Sequence, residues 1–291
     1  MKWDQWLLGY GEQVQDQPQT RTAADAANSP KRFAEKIDKI APWILTYHEV
    51  EPDKSNYLYA VTRAQLDEQL SLISTRNRQL GHASPGASVT FDDGHVSNIQ
   101  VARPVLERHG IPAIFFITAG RVEERPQTMT WAQLRSLVEA GHSVQSHGWS
   151  HKFLTHCSDS ELREELQRSK GEMESHLGVP VEWISVPGGR WNRRVVDAAR
   201  AAGYSRIYTS DFWRKPAESD GITVLGRLMV RNTTTTPQLG RWLSTDVSSL
   251  RMLRAKGHVK DAVRAVLGDQ TYHRLWCWLA DDRGSGMEGE A

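Results

Sequence analysis

From Pro42 onward the chain repeats one unit: a short apolar run, a helical segment, a glycine and another apolar run, at intervals of roughly 30 residues. This repeat constrains the fold more than any other feature. Strands joined through helices lie parallel, with the helices outside the sheet. WILTYH (43–48), ASVTFD (87–92), AIFFIT (113–118), SVQSH (143–147), EWISVP (182–187) and SRIYTS (205–210) read as buried strands. Thr62–Gln65, Thr130–Gln133 and Ser158–Glu161 each match the capping box, in which two side chains satisfy each other's free backbone N–H groups at a helix start. Leu162, Leu166, Met173 and Leu177 then fall on one helical face. Gly110, Gly141, Gly178 and Gly203 sit where left-handed helix caps are expected. Six or seven such strands suit a barrel-like α/β domain.

The two ends differ from this grammar. Residues 11–32 are polar, Gln- and Ala-rich and without apolar period, which predicts a flexible N-terminal extension over 1–40. The barrel is expected over 41–232. Residues 233–291 read as short amphipathic helices rich in Arg, Lys and Trp. They form a helical C-terminal appendage packed on the barrel, or a membrane-surface contact with Trp276 and Trp278 at the interface.

In a barrel of this kind the chemistry gathers at the C-terminal ends of the strands, and an open α/β sheet also collects ligands there. The first strand ends in His48, the second in Asp92 and Asp93, the fourth in His147, and the fifth runs into Pro187-Gly188-Gly189-Arg190. Asp92 and Asp93 are adjacent like charges that repel, so their placement calls for a partner. His147 and His151 are four apart, a spacing that puts both imidazoles on one face of a helical turn. Two histidines and one carboxylate form a catalytic metal set with open positions. His82, His109 and His176 read as surface residues.

These residues carry a resemblance. Thr90-Phe91-Asp92-Asp93-Gly94 matches in full the TFDDG motif of the polysaccharide deacetylases (carbohydrate esterase family 4, the NodB-homology domain). His147-Gly148-Trp149-Ser150-His151 is similar to the family's H-[ST]-x-x-H, with Gly148 in place of the hydroxyl residue. The resemblance covers about 40 to 230. It implies a distorted (β/α) barrel of about seven parallel strands and a metal-dependent N-deacetylase. Asp93, His147 and His151 would hold a divalent metal, usually Zn2+, and Asp92 would be the general base.

The chain departs from the family at three places. The motif R-x-P-[YF]-G appears as Ser185-Val186-Pro187-Gly188-Gly189, without the arginine that orients the base. Arg190 either supplies that charge from the other side or is a surface residue after a glycine turn. Pro187, Gly188 and Gly189 are substrate-binding candidates by position. Asp211 and Trp213 fall where the fourth motif places an Asp to pair with the arginine and a Trp to wall the pocket. The fifth motif, Leu-x-His, has no histidine in ITVLGRLMVRN. His48 is the candidate acid in its place.

The expected function is removal of an N-acetyl group from an amino sugar of a polysaccharide or glycan precursor. The alternatives are a deformylase or O-deacetylase of a lipid-linked sugar, and a glycan-binding barrel impaired in catalysis. A net charge of +1 on 291 residues, without a basic aromatic-interleaved patch, excludes a nucleic-acid partner from this reading. Cys157 and Cys277 form no metal or disulfide pattern and read as reduced thiols. No run approaches the roughly 20 apolar residues of a membrane span, and no signal sequence is apparent. The expected compartment is the cytoplasm, with membrane association open.

Overall fold

A computed structural model of the chain describes residues 43–53, 56–80, 86–212, 217–219, 221–244, 247–268 and 271. The strands are β1 (Trp43–Tyr47), β2 (Glu49–Glu51), β3 (Ala60–Thr62), β4 (Ala87–Phe91), β5 (Ala113–Ile117), β6 (Ser143–Ser146), β7 (Trp183–Ser185), β8 (Arg206–Thr209), β9 (Ala217–Ser219), β10 (Ile222–Gly226) and β11 (Leu228–Met229). The helices are α1 (Arg63–Leu80), α2 (Arg103–His109), α3 (Trp131–Glu139), α4 (Asp159–Leu177), α5 (Arg193–Ala201), α6 (Thr236–Leu243) and α7 (Val247–Leu267). The expected N-terminal extension, Trp213, Cys277 and the Trp276/Trp278 pair lie outside the described residues.

The main sheet runs β11-β1-β4-β5-β6-β7-β8-β10-β9, parallel except for the β10–β9 pair. The two ends of its parallel part are one piece of chain, with β9 added antiparallel outside β10. Gly226 of β10 pairs with Thr209 of β8, while Leu228 of β11 pairs with Leu45 of β1. Segment 222–229 therefore bridges both edges, and the sheet curls into the distorted barrel of seven parallel strand positions that the sequence implies. β2 and β3 form a separate parallel ladder.

Local chemistry explains the elements. Thr62, Thr130 and Ser158 each exchange backbone and side-chain hydrogen bonds with the residue three positions on, so all three capping boxes exist. Helix α4 ends at Gly178, whose φ of 67° is left-handed. Helix α1 buries Leu66, Leu70 and Ile73 against the sheet, and full burial of such a side chain contributes about 1.5–3 kcal/mol.

Alternation along the strands separates two cores. One face of β1, β4 and β5 stacks Tyr47, Phe91 and Phe115, with centroids 5.4 and 5.1 Å apart, and the Tyr47 hydroxyl donates to Gln69 of α1. The other face points into the barrel. Ile44, Ile114, Phe116, Trp183 and Tyr208 form a separate apolar cluster there. Thr46, Thr90, Ser185 and Arg227 share that inward face nearer the C-terminal strand ends, and all are buried. The barrel thus has an aromatic floor and a polar upper layer.

Among the described residues the C-terminal region holds the two helices α6 and α7. Helix α6 buries Leu239, Trp242 and Leu243, and Thr236 donates to Glu68 of α1 at 3.0 Å. Helix α7 exposes Met252, Val259, Val263, Val266 and Leu267. Among the described residues no helix is long and apolar enough to cross a membrane. Cys157 is a buried free thiol.

Candidate active site

Strand β4 ends at Phe91, and Asp92 and Asp93 leave it in different directions. Asp93 takes a left-handed backbone with φ of 72°, uncommon for a residue other than glycine, so the turn begins one residue earlier than Gly94. His151 is likewise left-handed, with φ of 68°. The reading of His147 and His151 on a helical turn is corrected by the structure. The segment after β6 is an irregular loop, in which Gly148 has φ of 82°. A β-carbon is disfavoured in that conformation, which accounts for glycine at the usual hydroxyl position. Glu165 of α4 holds the loop. Its carboxylate accepts the Trp149 and Ser150 N–H groups at 2.9 Å each and the Ser150 hydroxyl at 2.5 Å.

These turns bring three ligand atoms together. Asp93 Oδ1 lies 3.3 Å from His147 Nε2 and 3.2 Å from His151 Nε2. One ligand atom from each residue falls within a 4.8 Å set. His147 Nδ1 lies 2.7 Å from the Ser185 carbonyl, which can only accept, so Nδ1 carries the hydrogen. In the neutral ring Nε2 is then a lone pair aimed at a carboxylate oxygen, and that Asp93 oxygen is buried without a hydrogen-bond partner. Acceptors facing acceptors require a cation or a proton. The donor set fits a divalent metal, with the imidazole oriented from behind as metal-ligating histidines are. Burial opposes charge on His147, yet Asp92 and Asp93 outweigh it and raise its pKa. Burial also opposes charge on Asp93, but its pairing with His147 and His151 holds the carboxyl well below the usual range.

Asp92 points into the barrel. Its Oδ1 accepts from Arg227 Nη1 and its Oδ2 from Arg227 Nη2, both at 2.7 Å. Ser185 Oγ donates to Oδ2 at 3.1 Å, and His147 Nε2 stands 4.0 Å from the same oxygen. Burial raises the Asp92 pKa, but Arg227 and His147 together prevail and lower it. Thr90, the first residue of the TFDDG motif, takes part from below. Its hydroxyl accepts from Arg227 at 3.1 Å and donates to the Leu45 carbonyl at 3.0 Å.

The other candidates occupy the rim. His48 follows β1, with its ring 5.2 Å from that of Tyr59 and its Nδ1 buried without a hydrogen-bond partner among the described residues. Burial lowers its pKa, against the pull of Asp93 and Asp92. Arg190 does not provide the clamp on Asp92. Its guanidinium lies over the Phe153 ring, 4.2 Å from the centroid. Asp211 is buried and accepts the Trp191 indole N–H at 3.0 Å. Pro187, Gly188 and Gly189 form a single 3-10 turn after β7. Gly188 has φ of 63°, and a β-carbon there would come within 2.5 Å of the Phe153 ring. His109 pairs with Asp67 at 2.7 Å and His176 stacks on Trp131 at 4.1 Å, both apart from the site.

Sequence reasoning missed Arg227 and Glu165. The available signal for Arg227 was a lone charge inside the apolar run ITVLGRLMV. Glu165 carried none, since an acidic residue in an amphipathic helix ordinarily faces water.

Comparison with known proteins agrees with this geometry. Residues 82–207 match the family model described as polysaccharide deacetylase. The chitooligosaccharide deacetylase of Sinorhizobium fredii is 30% identical over 146 residues, 49% of this chain and 65% of that protein. The chain spans less than two thirds of the length of the curated relatives it matches. IcaB of Ammonifex degensii superposes with a TM-score of 0.58 at 25% identity, over 70% of this chain and 97% of that one. The Streptococcus pyogenes deacetylase PplD, in complex with acetate, gives 0.61 at 21% identity over 69% and 97%, a likeness of fold.

Proposed function

Because this chain belongs, through residues 82–207, to the polysaccharide deacetylase family, we propose that it is a metal-dependent hydrolase removing N-acetyl groups from an amino sugar of a polysaccharide or glycan precursor. One observation carries the reading: a buried, charge-clamped carboxylate, Asp92, stands beside the open triad of Asp93, His147 and His151, with His147 4.0 Å from the one and 3.3 Å from the other. A barrel that only bound glycans would have no use for an ionised buried carboxylate beside a metal-ligand set.

A divalent ion, zinc by this donor set, would be held by Asp93, His147 and His151 and would polarise the amide carbonyl and acidify a water. Asp92 is the general base. Its lowered pKa keeps it ionised at neutral pH, ready to accept the water's proton. His48, at the rim, would protonate the departing amine. Burial lowers its pKa, so the ring is neutral at rest and must first take up a proton in order to donate it. Asp211 and Trp191, joined by their hydrogen bond, and the Pro187–Gly189 turn would contact the sugar.

The test is acetate release from N-acetylated amino-sugar oligomers, with and without chelator, run beside N-formyl and O-acetyl sugars and their lipid-linked forms. Chelator-sensitive acetate release from the N-acetyl substrates is expected. Formate release or O-deacetylation in excess of it would reassign the acyl group. No hydrolysis of any of them by the zinc-loaded protein would return the chain to a binding role.

A further inference from the structure

We propose that Arg227, seated against Ser185, is the positioning residue of the base, so that the clamp on Asp92 comes from the strand that closes the barrel. The inference rests on the reading of Asp92 as the base. An arginine two residues before Pro187 would extend from the end of β7, and that place holds Ser185. The short serine leaves the volume open, and Arg227 enters it from between β10 and β11. The two substitutions interlock: Ser185 Oγ accepts from Arg227 Nη2 at 2.7 Å and donates to Asp92 at 3.1 Å.

The guanidinium is fully committed. Nη1 donates to Asp92 and Thr90, Nη2 to Asp92 and Ser185, and Nε to the Thr209 carbonyl at 3.4 Å. All five N–H donors of the side chain have partners. Phe116 lies beneath its plane, 5.2 Å from ring centroid to Cζ. A bidentate fork fixes the plane of a carboxylate, which a lysine or a single hydrogen bond does not. Desolvating such a pair is costly, and an apolar pair of the same volume would serve stability as well or better. Its retention therefore points to a task for the oriented carboxylate.

A second observation is independent of the first. The aromatic position of the same motif is Gly188, and the space its side chain would fill is taken by the Phe153 ring from the loop after β6. One motif lacks two side chains, and a chemically matching group from another segment stands in the place of each. Arg227 is also the third residue of Leu225-Gly226-Arg227, the position at which a Leu-x-His pattern would put its histidine. The closing strand gives a cation to the base where that pattern would place an imidazole.

The test compares the full-length zinc-loaded wild type with Arg227→Ser, Arg227→Lys and the double variant Ser185→Arg/Arg227→Ser. Arg227→Ser is expected to lower kcat for acetate release by about 10²-fold, with KM within about threefold and the zinc content unchanged. The double variant, which returns the guanidinium to β7, should recover at least about tenfold in kcat. Crystals of its metal-free form should show the guanidinium introduced at position 185 forked onto both Asp92 oxygens. Should Arg227→Ser fail to fold, Arg227→Lys carries the test, since it keeps the charge and loses the fork. A kcat at least about tenfold down at an unchanged melting temperature is then expected. A wild-type kcat in either single variant overturns the proposal, as does a double variant that seats the guanidinium on Asp92 and recovers nothing. A wild type that hydrolyses no acyl sugar removes the functional reading and the proposal together; an active wild type with indifferent variants removes the proposal alone.

Discussion

The two halves of the site are built on opposite plans. The metal half comes from two loops, and two of its three residues, Asp93 and His151, hold left-handed backbones. The base half sits at strand ends: Asp92 directly after β4, Ser185 as the last residue of β7 and Arg227 at the junction of β10 and β11. Exposure follows the division in part, since His147 of the metal half is only 3% exposed. The Asp93 and His151 side chains are 33% and 31% exposed, whereas Asp92 and Arg227 are 4% and 2%. Two of the three residues proposed to hold the metal thus face solution from bent backbone, and the third is buried behind them. The half that must hold one orientation is sealed, with every donor of its cation used.

This contrast breaks cleanly under substitution. Asp93→Ala should lose bound zinc and reduce acyl hydrolysis by about 10³-fold or more, equivalent to about 4 kcal/mol, while the metal-free protein unfolds in urea near the wild-type midpoint. Asp92→Asn should keep its zinc, lose about 10²–10⁴ in kcat, and lose about 3–5 kcal/mol of stability, because Arg227 is left buried beside a neutral amide. Zinc stoichiometry and urea titration of both variants decide it. Zinc loss in Asp92→Asn with retention in Asp93→Ala would show that the halves are not separable.

The stability comparison must be made at fixed pH, since a group outside both halves titrates nearby. Burial lowers the His142 pKa from 6.5 to about 4, with Glu107 and Arg103 acting in opposite senses. Its ring lies edge-on to Phe115 and its Nδ1 accepts the Ala113 N–H at 3.2 Å. The unfolded chain therefore takes up the proton first. The contribution of neutral His142 is present above pH 6.5 and is lost as the pH falls to about 4, a change of about 3 kcal/mol. His142→Asn keeps an acceptor for Ala113 and should flatten the slope of unfolding free energy between those values; an unchanged slope would assign it elsewhere.

The smallest effect is expected at the edge of the base half. Gly188→Ala puts a β-carbon against Phe153 in a left-handed backbone and should cost about 1–3 kcal/mol, with zinc binding intact. A calorimetric melting temperature equal to wild type would mean that the Phe153 ring moves aside freely.

The same division explains what can be read from the chain before folding. The capping boxes, TFDDG and the His147/His151 pair are local patterns, each lying within a few residues, and the strand–helix repeat is a plain periodicity, so all of these are open to direct reading. The base half is a meeting of residues 92, 185 and 227, and no local pattern reports which strand lies beside which. The motif around Pro187 draws attention to Arg190, its neighbour in sequence. Curling of the sheet makes Arg227 the neighbour in space. His147 and His151 are recognisable by spacing, whereas the backbone that joins them is not, because Gly148 breaks the helical turn that the spacing suggests.

Segment 222–229, which joins both edges of the sheet's parallel part, also sets an order of events during synthesis. A chain that has emerged from the ribosome only as far as β8 already contains Asp93, His147 and His151, the residues proposed to hold the ion. Its Asp92 has no guanidinium until the closing strand arrives. On the proposed reading the clamp on the base is therefore the last part of the site to be completed, and a chain clipped before the closing strand would have the metal ligands without an oriented base.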